Sequence, residues 1–510
     1  MHKYLSKINW QKIEQNAIWA ILILAASLRF TGLVKRDLWY DEAFTGVAVK
    51  EKFTDMISMI INDVHPPLYY VFLKWFSFFF NYSVFGLRLF SAVFGLGAVW
   101  GIYILTREFF DRRAALMASF LVAISPFAIQ YSQEARMYSM LACLILLGAY
   151  FFVKGLKTKK TKYFIFWGIL TGLSMLTHYM GIIFSVLFYP AYMAWKLFSE
   201  SENSKVKNKR EFVLQMFKKF LPDKNIFLGY LVAFLIFLPW IKKFIYHFNM
   251  KGNNLSWVKP ASFGDIVVNM QMFLFGTPLG EMSSGMPQPN ELHGIAQLSV
   301  RMVVAVLFGM ALSYLFRKEN KAKVWILLIL SIGFMTLIYL LSIFTVDQQY
   351  FVARYLLPGA LFLYVLWGVW LSKLNKYLIS FILVGYIFLL NMIVPLTNST
   401  GYNELIKNLD KYKNTHFYIL NSFDYVISKY YIGDKNLYLY NYDWPQYNPS
   451  YWAAIGSSLK RTEDYEDLRN DPKAIIISNK VLNRDNQYFS TQGLVLVDQY
   501  KNILLYKFEK

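Results

Sequence analysis

Residues 84–106 read Val-Phe-Gly-Leu-Arg-Leu-Phe-Ser-Ala-Val-Phe-Gly-Leu-Gly-Ala-Val-Trp-Gly-Ile-Tyr-Ile-Leu-Thr, with Arg88 the one charged residue. As a helix rising about 1.5 Å per residue, the run is long enough to cross a hydrocarbon core of roughly 30 Å. It is one of eleven such runs, near 17–34, 84–106, 114–130, 137–153, 163–177, 181–195, 225–241, 298–316, 324–343, 355–371 and 377–396. The composition agrees: 56% of the 510 residues are hydrophobic, 19% are aromatic and only 17% are charged. Soluble domains carry about 25% charge, so an ordinary soluble enzyme and a disordered chain are both excluded. The expected fold is mainly α, a polytopic membrane helical bundle of about eleven spans. The single cysteine, Cys143, lies inside an apolar run. It can form neither an intramolecular disulfide nor a zinc cluster.

A net charge of +21 invites a nucleic-acid reading, but placement of the charge argues against it. With the N-terminus in the cytoplasm, the inner segments hold 25 lysines and arginines and the outer loops before residue 397 hold 11. Excess basic charge on the cytoplasmic side sets orientation in the membrane. The sequence therefore predicts a multi-pass protein of a bacterial plasma (inner) membrane, in contact with lipid and not with nucleic acid. The N-terminal apolar stretch has no small-residue cleavage site and reads as a first span, not a removed leader. Residues 397–510 form a nearly neutral polar tail, with 14 basic and 13 acidic residues. Strand-like runs occur at His416–Asn421, Asn436–Tyr440, Ala474–Ser478, Leu494–Val497 and Ile503–Phe508, with helical patterns at Glu404–Lys413 and Asp424–Tyr431. That mixture predicts a small C-terminal α/β domain outside the cell. The domain division is thus 1–396, with an outer loop near 35–83, and 397–510.

Unusual polar residues gather at the outer ends of the spans. Asp37-Leu38-Trp39-Tyr40-Asp41-Glu42 follows the first span. Adjacent carboxylates at a bilayer surface are costly unless a cation, a hydrogen-bond network or a substrate uses them. Asp63-Val64-His65-Pro66-Pro67-Leu68-Tyr69-Tyr70 follows, and its prolines suit the first turn of a helix. Gln133-Glu134-Ala135-Arg136-Met137-Tyr138 lies in a short loop before the fourth span. Ser132 as N-cap with Glu134 in the first turn would be an ordinary helix start. Arg136 there opposes the helix dipole and calls for an anion such as phosphate. Asp347-Gln348-Gln349-Tyr350 leads into Arg354-Tyr355-Leu356-Leu357-Pro358 at the start of the tenth span. Arg354 is either a second anion ligand or an arginine snorkelling to the interface. His178-Tyr179 marks the outer turn after the fifth span. Carboxylates, histidine and arginines on one side of the membrane suit transfer from a lipid-linked phosphate, with arginines stabilising the departing charge.

Trp39-Tyr40-Asp41-Glu42, His65-Pro66-Pro67-Leu68-Tyr69-Tyr70, Gln133-Glu134-Ala135-Arg136 and Arg354-Tyr355-Leu356-Leu357-Pro358 resemble the C-superfamily of membrane glycosyltransferases. The protein O-mannosyltransferases that use dolichyl-phosphate mannose and the bacterial aminoarabinose transferases are the similar branches. The resemblance runs over roughly residues 18–360, in the same order and the same loops. It implies transfer of a sugar from a polyprenyl-phosphate donor to a protein, lipid or glycan acceptor at the outer membrane face, with inversion. On it, Asp41 is the catalytic base with Glu42 beside it. Asp63 and His65 match the family's aspartate-any-histidine-proline-proline stretch, and Arg136 its phosphate-holding arginine; with Tyr69, Gln133, Glu134, Tyr138, His178, Arg354 and Tyr355, placed by residue type and position, they make the candidate substrate contacts. Some members use a divalent metal at the outer-loop carboxylates, and here Glu42 and His65 would share it; two ligand candidates do not establish a site. The competing readings are a transporter or flippase of a lipid-linked sugar, and a polymerase or ligase of surface polysaccharide. A transporter places ionisable groups near mid-membrane, whereas Arg29, Arg88 and Arg301 lie towards span ends.

Overall fold

The computed structural model describes residues 10–63, 65–199, 221–249, 261–275, 294–344, 350–393, 401–420, 422–440, 460–462, 465–479 and 493–509. Each of the eleven apolar runs falls largely within a helix. In lipid every backbone polar group must be satisfied inside the chain, and a helix does this within one segment. Among the described residues, six helices are long and apolar enough to cross a membrane: Val84–Phe109, Tyr138–Thr158, Met180–Ser199, Lys224–Asn249, Lys321–Phe344 and Ala353–Ser372. The pair Arg112–Ile124 and Pro126–Ser132, bent by 63°, makes a seventh if counted as one span. Thr161–Thr177 stops at 17 residues, short of the roughly 20 a straight span needs.

Two compact units divide the chain. The first takes Met1–Thr31, Leu89–Glu281 and Gly285–Pro395; the second takes chiefly Gly32–Arg88 and Leu396–Lys510. In the first unit the helix Ala353–Ser372 is buried along its whole length. Gly368 lets it press against the helix Arg112–Ile124, where a Cβ would fall 2.5 Å from the backbone nitrogen of Ala118. Such small-residue contacts are how helices approach closely in a membrane, where hydrophobic burial supplies no force between them.

The 63° bend has a local cause. Ser125 precedes Pro126, and proline's ring disfavours the helical conformation at the residue before it. Ser125 is extended (ψ 118°) and caps the second helix, its Oγ accepting from the Ala128 N–H at 3.2 Å. The break leaves carbonyls at the end of the first helix without helical partners. Arg29, fully buried, donates to Val122 O at 2.9 Å and Ala123 O at 3.0 Å. A charge in an apolar span is thus consumed by an end-cap.

The second unit contains a six-stranded sheet. β1 (His416–Ile419), β2 (Leu437–Tyr440), β3 (Lys460–Thr462), β4 (Ala474–Ser478), β5 (Leu494–Tyr500) and β6 (Ile503–Phe508) lie in the order β3-β2-β1-β4-β6-β5. β1 runs parallel to β2 and β4, with Phe417 opposite Leu437 and Ile419 opposite Ile477. β6 is antiparallel to β4 and β5. β4, Ala-Ile-Ile-Ile-Ser, is buried throughout, as a central strand covered on both faces should be. β5 runs past the expected Val497 to Tyr500 across a bulge between Leu496 and Asp498. The helix expected over Glu404–Lys413 is instead Tyr402–Lys407 followed by a tighter turn, Leu409–Tyr412. Asn421 and the lysine-rich stretch 204–210 lie outside the described residues.

Candidate active site

In the second unit the segment after the first apolar run folds into the helix Tyr40–Lys50, which opens on Asp41 and Glu42. Carboxylates in a first turn complement the positive end of the helix dipole. The two neighbours differ in surroundings. Glu42 points inward: Arg88 donates from Nε to its Oε1 at 2.8 Å and from Nη2 to its Oε2 at 2.6 Å. Both side chains are 1% exposed. Arg88 also donates to Leu33 O at 2.7 Å, Arg36 O at 2.8 Å and Asp37 O at 2.9 Å. Its five N–H donors therefore hold the loop and the acidic helix together. Asp41 is half-buried, and its backbone carbonyl accepts from Thr45 Oγ1 at 2.8 Å.

Asp63 ends the helix Phe53–Asn62, and Pro67 precedes the helix Leu68–Phe78. Between them His65 Nδ1 lies 3.0 Å from Asp63 Oδ2 and 2.7 Å from its backbone carbonyl. A carboxylate on one ring nitrogen orients the imidazole and selects its tautomer. Tyr70 meets the His65 ring at 6.4 Å and Tyr69 edge-on at 5.7 Å. Tyr69 is fully buried. Arg88 occupies both oxygens of Glu42, and Asp63 engages Nδ1 of His65. Among the described residues no three His, Cys, Asp or Glu side chains are grouped to hold an ion.

In the first unit the Gln133–Met137 segment joins the helices Pro126–Ser132 and Tyr138–Thr158. The start expected at Ser132 is displaced. Ser132 closes the preceding helix, its Oγ donating back to Ala128 O at 2.5 Å, and the next helix begins only at Tyr138. Arg136 therefore sits in irregular backbone ahead of the helix, not in its first turn. Gln133 fastens this segment: its Nε2 donates to Leu28 O and Thr31 O at 3.0 Å and to Arg29 O at 3.3 Å. Ser91 Oγ donates to Arg136 O at 3.1 Å, and Gln130 Nε2 donates to Glu134 Oε1 at 3.4 Å. Gln133 is thus a brace for the loop.

Three sequence-predicted residues meet as a ring cluster. His178 lies 5.0 Å from Tyr355 and 6.0 Å from Tyr138, and Tyr138 lies 6.1 Å from Tyr355. His178 Nδ1 accepts from the Met180 N–H at 3.1 Å, which leaves Nε2 as the proton-bearing nitrogen of the neutral ring. The Arg354 guanidinium stands 5.6 Å from the Tyr355 ring centre. Arg136, Arg354 and Glu134 are all buried. A buried guanidinium beside an aromatic face, as Arg354 is beside Tyr355, can bind an oxyanion while the ring stacks on a sugar. Asp347–Gln349 lie outside the described residues, as does Val64.

Apolar helices with polar, buried-charge loops at their ends define a multi-pass membrane protein. Residues 64–242 match the family model described as dolichyl-phosphate-mannose-protein mannosyltransferase. The chain is similar in structure to ArnT from Cupriavidus metallidurans in the apo state, at 12% identity and TM-score 0.62, covering 96% of this chain and 97% of that one. The same protein bound to undecaprenyl phosphate aligns at 12% identity and TM-score 0.59, with the same coverage. The oligosaccharyltransferase of Archaeoglobus fulgidus aligns at 15% identity and TM-score 0.49, covering 92% of this chain and 70% of that one. No curated protein matches the sequence. The resemblance read from the loop motifs, to the C-superfamily glycosyltransferases of the mannosyltransferase and ArnT-like kind, is borne out.

Proposed function

We propose that this protein transfers a sugar from a polyprenyl-phosphate donor to a protein, lipid or glycan acceptor at the outer face of the plasma membrane. The observation that carries the reading is the pairing of residue types in a fold similar to one solved with undecaprenyl phosphate. In one unit a half-buried aspartate opens the helix Tyr40–Lys50; in the other, buried Arg354 stands over Tyr355, whose ring meets those of Tyr138 and His178, and buried Arg136 lies in the segment just before Tyr138. In the proposed reaction the acceptor hydroxyl oxygen attacks the anomeric carbon and its proton passes to the Asp41 carboxylate. The bond from that carbon to the phosphate oxygen breaks, and the polyprenyl phosphate departs as an anion. Attack opposite the leaving group inverts the anomeric centre. Arg136 and Arg354 stabilise charge where it grows, and the phosphate leaves without a general acid.

Asp41 is preferred to Glu42 as the base because Arg88 already neutralises Glu42 in the interior. Asp63 and His65 are assigned to orient the acceptor side, and the tyrosines to pack on the sugar. Topologically we propose eleven spans with a cytoplasmic N-terminus and residues 397–510 outside.

The test begins with lipid-linked sugars profiled in cells with and without the gene; the species that accumulates is the donor. With that donor, purified Asp41→Asn should fold and bind it yet lose turnover by about 10²–10⁴-fold, the usual worth of a positioned base. Turnover near that of the wild type would remove Asp41 as the base and bring Asp63 forward.

A further inference from the structure

The residues that grip the Asp41 helix come from the far end of the chain. Asp37, two residues before Trp39, accepts three backbone N–H bonds: Gly401 at 2.7 Å and Tyr402 at 3.1 Å on Oδ2, and Asn403 at 3.0 Å on Oδ1. Gly401 has φ +114°, and a Cβ there would overlap the Tyr500 carbonyl, so only glycine allows this approach. Leu38 N–H donates to Tyr431 Oη at 2.8 Å, and Tyr431 stacks on Tyr402 at 5.3 Å with the rings 8° from parallel.

The other end of the helix is held as well. Lys50 Nζ donates to Tyr430 O at 3.0 Å and lies 3.8 Å over the Tyr430 ring. In mid-helix, Gly46 faces that same ring, where an added Cβ would come within 2.6 Å of it. Tyr430 Oη donates onward to Tyr82 O at 2.9 Å. A tether would need one such contact. Here the lead-in Asp37–Leu38, the middle and the far end of one eleven-residue helix are fixed by residues 401–403 and 430–431.

We infer that the segment Gly401–Tyr431 is a positioning element for the transfer reaction, acting through the Tyr40–Lys50 helix on Asp41. The inference rests on the glycosyltransferase reading with Asp41 as base. Its physical content is the narrow tolerance of a reacting group, where a misplacement of about 1 Å costs on the order of 10²-fold. Tyr430 and Tyr431 touch no reacting atom in this account. They set where the carboxylate stands, and their helix, Ser422–Ile432, packs on β1 and β2 of the C-terminal sheet.

The test uses full-length protein in lipid nanodiscs and the lipid-linked sugar that accumulates in cells lacking the gene. Tyr431→Phe removes the acceptor of the Leu38 N–H and keeps the stack on Tyr402. Gly46→Ala forces the helix and the Tyr430 ring apart. Both should lower kcat about tenfold or more, with donor KM within about twofold and undecaprenyl phosphate binding unchanged. Tyr431→Phe should do so with a thermal midpoint close to that of the wild type, which guards against Gly46→Ala failing to fold. Unchanged kcat in Tyr431→Phe, whether or not its thermal midpoint falls, would overturn the positioning role and leave Gly401–Tyr431 a structural anchor. A wild-type protein with no turnover of the accumulated donor would sink the parent reading instead, and this inference with it.

Discussion

Glu42→Gln should destabilise the protein strongly, although it changes one oxygen to nitrogen. The carboxylate and Arg88 are both 1% exposed and joined by bonds of 2.6 and 2.8 Å. Removing one partner of a buried ion pair typically costs about 3–5 kcal/mol, because the other charge stays buried without compensation. Here Arg88 keeps three carbonyl acceptors, Leu33, Arg36 and Asp37, so the loss should sit near the lower end, about 3 kcal/mol. Arg88→Met should be worse. It strands the carboxylate and takes donors from three carbonyls at about 1 kcal/mol each. The double variant should recover part of that loss, a coupling of about 1–3 kcal/mol in a mutant cycle. Equilibrium unfolding of purified protein in mixed micelles measures all three. A cost for Glu42→Gln below about 1 kcal/mol, or an Arg88→Met milder than Glu42→Gln, would refute the reasoning.

Three further expectations follow from other parts of the molecule. Arg136→Lys should keep the charge and lose most turnover, because an ammonium cannot reproduce a two-pronged guanidinium; normal activity on the accumulated donor would remove Arg136 from the phosphate site. In the C-terminal sheet, the Tyr412 and Tyr500 hydroxyls donate to Asp498 at 2.9 Å and hold its carboxyl below the usual carboxylate range. A depressed folded-state value contributes stability above the ordinary carboxylate pKa that is lost as pH falls through the folded value. The thermal midpoint should therefore drop on acidification below about pH 4, and Asp498→Asn should lower it at neutral pH and flatten that drop. For topology, tags at the N-terminus and within 200–210 should report cytoplasm and a tag at 510 should report outside; a cytoplasmic C-terminus would mean the span count near 163–195 is wrong.

The helices were legible because lipid leaves an apolar run of this length few conformations. The strands of the tail were legible where side chains are β-branched or aromatic, as in Ala474–Ser478, and missed at Lys460–Thr462, three polar residues placed only by pairing with β2. Candidate site residues were legible where residue type and loop position coincide: Asp41, His65, Arg136 and Arg354. Braces were not. Arg29 and Arg88 read only as charges towards span ends, because sequence does not tell which carbonyls a guanidinium will meet. Arg29 had one indirect signal, the Ser125-Pro126 break, which leaves carbonyls needing a donor. Asp37 belonged to a conspicuous acidic cluster, but its partners at 401–403 lie more than 360 residues away. Only tertiary structure pairs them.

The acidic cluster Asp37-Leu38-Trp39-Tyr40-Asp41-Glu42 posed a cost that one role for all three carboxylates would not remove. The structure separates them. Asp37 turns to backbone N–H groups of 401–403, and Glu42 turns to Arg88. Successive residues on a helix point about 100° apart, so Glu42 can face the interior while Asp41, one position earlier, stays half-exposed. Each buried carboxylate then has hydrogen-bond donors of its own, which is what makes a buried charge tolerable. Two of the three carboxylates thus serve to fix the loop, and the chemistry proposed for this loop falls to the third.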